Sequence, residues 1–91
     1  MSKEMHNTKE RLYQKYGTYC EVCGKKFKKT ELTGHHIIMK CKGGKITEEN
    51  ILIACWHCHF DVINHIQYNS KEYWDLMRKS LRHRELPSKK E

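Results

Sequence analysis

Four cysteines stand in two tight pairs, Cys20-x2-Cys23 and Cys55-x2-Cys58, and three histidines, His35, His36 and His59, are interleaved with them. A two-residue gap lets both thiolates of a pair grip one tetrahedral zinc, so two pairs together make a closed four-sulfur site. The histidines are left for another task. Imidazole, with an ordinary pKa of about 6.5, is the side chain best matched to take a proton at neutral pH, and it is also a common ligand for divalent ions. Two kinds of metal chemistry, one closed and one open, therefore fit within one short stretch. Cys41 is read as an unpaired loop thiol without a role, and His6, His57, His65 and His83 as ordinary histidines, although His57 lies between two of the zinc ligands.

The elements that must position these groups are readable from spacing. Met5, Leu12, Tyr13 and Tyr16 recur at helical intervals and predict a helix over about 4–16, closed by Gly17 in a left-handed conformation. Thr18 to Phe27 predicts an extended segment around a tight knuckle in which Gly24 takes a positive φ, and Lys25 to Lys29 a basic tip or strand. A strand is expected over His35 to Met39, a loop over Lys40 to Lys45, a capped turn over Thr47 to Asn50, and extended chain over Ile51 to Ala54. Phe60, Ile63 and Ile66 share a helical face, which places Cys58 and His59 on the first turn of a helix. Asn69 and Glu72 resemble a capping box opening a last helix over about 70–83, with Trp74, Met77 and Leu81 as its apolar stripe. Pro87 and the charges after it predict a disordered tail, 87–91. Trp56, Phe60, Tyr73 and Trp74 are read first as core, with stacking on bases as their other use.

Ninety-one residues suggest one domain with a core small enough to need a staple. Structural zinc contributes roughly 10–16 kcal/mol in small peptides, so the metal-free chain is expected to be largely unfolded. Secreted disulfides are the other use of five cysteines, but no leader pattern is visible, and no apolar run approaches the roughly 20 residues that span a bilayer. A reducing, cytoplasmic setting without a membrane is expected. Lysine and arginine outnumber acidic residues 18 to 11, giving a formal +7. They cluster at Lys25, Lys26, Lys28 and Lys29, at Lys40, Lys42 and Lys45, and at Arg78, Lys79, Arg82 and Arg84, on both sides of the His/Cys constellation. Such a surplus points to a polyanionic partner, above all nucleic acid.

Taken in order, Cys20-x2-Cys23, His35-His36-Ile37, Gly43-Gly44, Asn50-Ile51 and Cys55-x2-Cys58-His59 resemble the HNH family of nucleases in its zinc-bearing form, over about residues 19–63. The resemblance implies a small α+β zinc-stabilised domain, 1–91, with a ββα-metal, treble-clef-like core between flanking N- and C-terminal helices. It implies that His35 and His59 ligate a catalytic divalent ion (Mg²⁺, Mn²⁺, Ni²⁺ or Zn²⁺), that His36 is the general base, and that Asn50 holds the loop and orients that base. The cysteines would carry structural Zn²⁺, and Lys25, Lys26, Lys28, Lys29, Lys40, Lys42 and Lys45 would grip the DNA backbone. Some members carry a further metal-binding histidine four residues after the last motif histidine; here that position is Ile63. The implied activity is DNA phosphodiester hydrolysis leaving 5′-phosphate and 3′-hydroxyl ends, in a bacterial or phage-infected cell. A homodimer, or a phage-packaging or restriction partner, would add specificity. The rival is a non-catalytic treble-clef zinc-finger module that only binds DNA.

Overall fold

A computed structural model describes residues 3–84 together with Leu86 and Pro87. Helix α1, Lys3–Tyr16, buries Thr8, Leu12 and Tyr13 along one face, as the spacing predicts. Gly17 ends it at φ +87°, its N–H donating to the Tyr13 carbonyl at 2.8 Å. A side chain at this φ is strained, which is why the stop is a glycine. The knuckle follows. Tyr19 bridges Lys26, and the Cys20 N–H donates to the Lys25 carbonyl at 2.9 Å, turning the chain back on itself. Lys25 to Lys29 forms no strand beyond that bridge. Glu31 instead accepts a hydrogen bond from the Lys28 N–H and folds Lys29–Glu31 into a 3-10 turn.

Strands β1, Leu32–His36, and β2, Ile51–Cys55, pair antiparallel, with Leu32 opposite Cys55 and His36 opposite Ile51. The first strand thus starts three residues earlier than the expected His35–Met39 and stops at His36. Its start is set by Leu32 and Thr33, which pair with Cys55 and Ala54. Its end is set by Asn50: one more rung joins the Ile37 N–H to the Asn50 carbonyl, and the Asn50 side chain then captures Ile38. All five residues of β2 are buried, so both faces of that strand are covered and the apolar run Ile51-Leu52-Ile53-Ala54 is continuous rather than alternating.

The helix expected after Trp56 forms over 56–65, but with irregular winding. Cys58–Val62 winds as a π turn, with the Ile63 N–H reaching the carbonyls of both Cys58 and His59, and a 3-10 turn over Ile63–His65 completes it. The wider winding shifts which side chains face inward. Ile63 is buried, whereas Phe60, expected on the same face, is exposed. Helix α2, Lys71–Ser80, buries Tyr73, Trp74 and Met77, with Leu81 just beyond it. Its cap is Ser70 and not Asn69: Ser70 Oγ accepts from the Tyr73 N–H. Asn69 sits at φ +68° and accepts from the Trp74 indole N–H at 2.7 Å. Leu86 and Pro87 are half-buried, and the expectation for the rest of the tail, 88–91, lies outside the described residues. Among the described residues no helix is long and apolar enough to cross a membrane.

A buried ion pair ties the end of the chain to its beginning. Glu21 and Arg84 have side chains 6% and 7% exposed, and the guanidinium donates to both carboxylate oxygens at 2.8 and 2.6 Å. The same guanidinium donates to the carbonyls of Glu48 and Ile51 at 2.5 Å, while Glu21 also accepts from the Ile53 N–H. These five hydrogen bonds, and a sixth from His83 Nε2 to Glu21 at 2.6 Å, offset the desolvation of both charges, and deleting Arg84 leaves the buried carboxylate without its bidentate partner. Arg84→Ala is expected to lower unfolding free energy by about 3–5 kcal/mol, measured by urea denaturation with zinc in excess. A loss below about 1 kcal/mol would place Arg84 with ordinary surface arginines.

Candidate active site

The knuckle and the end of β2 bring Cys20, Cys23, Cys55 and Cys58 together, their four Sγ atoms all within 4.8 Å of one another. All are free thiols, and only Cys23 is exposed. A tetrahedral ion with bonds of about 2.3 Å spaces its sulfurs roughly 3.8 Å apart, so the cluster fits a metal such as zinc. Burial and neighbouring thiols push Cys58 up, and burial pushes Cys23 up. Burial acts the same way on Cys20, but the backbone N–H groups of Cys23, Cys55 and Val22 outweigh it and hold that thiol below its usual range. A cation bound among the four sulfurs would displace the protons that burial favours on Cys23 and Cys58, as in a closed structural site.

His35, His36 and His59 converge elsewhere. They line one open cleft of about 320 Å³ with Gly34, Met39, Lys40 and Asn64. Neighbouring strand residues point to opposite faces, so a bend is needed to bring His35 and His36 to one opening. The chain supplies it by leaving β1 immediately after His36. The His35 and His59 rings lie edge to face with centroids 5.2 Å apart.

Two hydroxyl groups fix which nitrogens are free. Tyr73 donates its only proton to the Ile37 carbonyl at 2.6 Å, so its oxygen accepts from His35 Nε2 at 2.8 Å. Thr33 donates to the Ala54 carbonyl at 2.8 Å, so its oxygen accepts from His59 Nδ1 at 2.7 Å. His35 Nδ1 and His59 Nε2 therefore keep their lone pairs, as two ligands of one divalent ion require. All three rings are held neutral. Burial, and then the charges of His59 and His36, lower His35 to about 4. Burial lowers His59, and burial followed by the Lys40 ammonium lowers His36. His36 Nε2 is buried without a hydrogen-bond partner among the described residues.

Asn50 is buried, 4% exposed, outside the lining of the cleft. Its oxygen accepts from the Ile38 N–H at 2.7 Å, and its amide donates to the carbonyls of Ile38 and Lys45 at 3.0 and 2.9 Å. It clamps the two ends of the Gly43-Gly44 loop just after His36. Gly44 makes that closeness possible, since a Cβ there would stand 1.7 Å from the Ile38 carbonyl oxygen.

Of the seven lysines expected to grip DNA, Lys40 lines the cleft and Lys25 borders a second depression beside the cysteine cluster. Lys29 pairs with Glu10, Lys26 lies over the Tyr19 ring, and Lys28, Lys42 and Lys45 are exposed. Arg84, counted by sequence with the basic clusters, is spent inside the fold on Glu21. His57 pairs with Asp61 at the surface, and Ile63 is buried away from the cleft. Thr33, Tyr73 and Asn64 were not legible as site residues: the first two act through hydroxyls whose partners are distant in sequence, and the π turn brings Asn64 to the cleft.

Residues 20–62 match the family model described as HNH endonuclease, so the resemblance carried by the motif stands as a match to that family. The matched span is just under half of the chain. It takes in the four cysteines, the three cleft histidines and Asn50, and ends before Asn64 and α2. No curated protein matches the chain.

Removing the loop clamp with Asn50→Ala strands three backbone partners and is expected to cost about 1–3 kcal/mol. Hydrogen exchange at the Ile38 amide should speed up in step, and unchanged protection there would contradict the clamp. The two clusters should also separate by mutation. Cys58→Ala is expected to lose bound zinc and most of its circular dichroism signal, whereas His59→Ala keeps both and loses affinity for a second divalent ion. Equal melting of both variants would mean that the histidine is as structural as the cysteine.

Proposed function

We propose that the protein is a metal-dependent DNA endonuclease that hydrolyses phosphodiester bonds with His36 as general base. The observation that carries this reading is the convergence of three neutral imidazoles on one open cleft, two of them with lone pairs fixed by hydroxyl groups. The match of residues 20–62 to the HNH endonuclease family supports it.

In this reading the phosphate enters the cleft beside Lys40, whose ammonium offsets its charge. His35 Nδ1 and His59 Nε2 would hold a divalent cation, which would supply Lewis-acid stabilisation of the negative charge that grows in the transition state. Mg²⁺, Mn²⁺, Ni²⁺ and Zn²⁺ all suit such a site, and imidazole ligands favour the transition metals. His36, neutral at pH 7, takes one proton from a water as its oxygen forms a bond to phosphorus. The bond from phosphorus to the 3′ oxygen breaks, the departing oxygen takes a proton from solvent, and the ends are a 5′-phosphate and a 3′-hydroxyl. Asn50 keeps the loop after His36 in place, so the ring does not drift. The four cysteines hold structural zinc and take no part in the chemistry. A treble-clef module that only binds DNA would share the cysteine frame but has no use for three neutral imidazoles around one opening.

His36→Ala is expected to reduce nicking of supercoiled plasmid with Mn²⁺ by at least about 100-fold, within the range for loss of a general base. Zinc content and DNA affinity should stay near those of the parent. Undiminished cleavage by this variant would remove His36 from the reaction.

A further inference from the structure

The four aromatic residues read first as core divide in two. Tyr73 and Trp74 are 1% and 5% exposed, but Trp56 is 55% and Phe60 44% exposed. The exposed pair forms a row with a cleft histidine. Trp56 and Phe60 stack with centroids 5.1 Å apart at 27°, and Phe60 and His59 at 4.6 Å and 15°. Three nearly parallel rings thus lead from open solvent to a residue whose Nε2 is free for metal.

The backbone builds this exposure. Trp56 and Phe60 are four apart across the start of the π turn, and Ile63, not Phe60, fills the core position of that segment. At the outer end of the row, Trp56 borders a depression of about 360 Å³ walled by Cys23, Phe27 and Cys58 and flanked by Lys25, with Glu31, whose carboxylate accepts from the Lys28 N–H, on its rim. At its inner end the cleft carries Lys40. Flat apolar surface between two cations fits a ligand that is aromatic and negatively charged in alternation, which describes a nucleic-acid strand. An acidic or apolar protein surface would match the charge or the rings, but a nucleotide chain matches their alternation.

We propose that Trp56, backed by Phe60, offers its outer face as a stacking platform for an unstacked nucleobase on the strand whose phosphate the cleft holds. The substrate class is then single-stranded or locally opened DNA in preference to an intact duplex, whose bases are stacked on one another and unavailable. This inference rests on the nuclease reading.

The test uses the zinc-loaded full chain carrying His36→Ala, so that bound DNA is not cut. Its probes are single-stranded oligothymidylate and an abasic oligomer of the same length and charge. Adding Trp56→Ala is expected to weaken oligothymidylate binding about tenfold, within the range for loss of one base–aromatic stack, and to leave abasic binding unchanged. Trp56→Phe should restore most of the loss. Quenching of tryptophan emission by oligothymidylate, but not by the abasic oligomer, is the matching spectroscopic signature. Equal weakening of both probes, or no weakening of either, overturns the platform while leaving the nuclease reading intact. A parent protein that sediments as a dimer and becomes monomeric with Trp56→Ala overturns it too, since the rings would then join two copies. Failure of the His36→Ala protein to bind any DNA probe overturns the nuclease reading along with the platform.

Discussion

The meeting of four sulfurs is the constraint on which the remaining geometry hangs. Cys20 and Cys23 belong to a knuckle that follows α1, while Cys55 and Cys58 close β2 and open the π turn. Joining them fixes where β2 ends. Because β1 pairs with β2 from Leu32 opposite Cys55, the register of both strands is counted outward from the cluster. A one-residue slip would turn His35 and His36 to the wrong faces. The cysteines take no part in the cleft, yet they decide which side chains reach it.

Inside the cleft the governing device is a pair of hydroxyl groups that each face an imidazole and a backbone carbonyl. A hydroxyl has one proton to give, and in both cases the carbonyl takes it. The imidazole must then act as donor, and its other nitrogen is left with an unshared pair. Thr33 is on β1 itself and Tyr73 on α2, so the orientation of the His35 ring depends on an element outside the span matched to the family. The last helix thus does more than cover the core.

What the sequence disclosed follows the range over which each interaction acts. The paired cysteines, the left-handed Gly17 and the stripe of Trp74, Met77 and Leu81 are encoded within a few residues, and each stands where spacing placed it. Features set by distant partners were illegible. Nothing near Leu32 announces that it pairs with Cys55, so the strand was expected to begin too late. Asn69 and Ser70 both suit a helix cap, and the choice fell to Ser70 because Asn69 is engaged by the Trp74 indole. Phe60 was expected inside because a regular helix puts it there, and one extra residue in the turn moved it out. The convergence of His35, His36 and His59 came from the ordered resemblance, since no local pattern brings positions so far apart to one opening.

The buried pair between Glu21 and Arg84 has a bearing on the order in which the molecule is made. A chain leaves the ribosome amino end first, so every cysteine and every cleft histidine emerges before Arg84 does. Until then Glu21 is an uncompensated acid beside the nascent knuckle, and the carbonyls of Glu48 and Ile51 lack the donor that quiets them. The seating of the knuckle against β2 therefore waits for translation to pass a residue well beyond both of them.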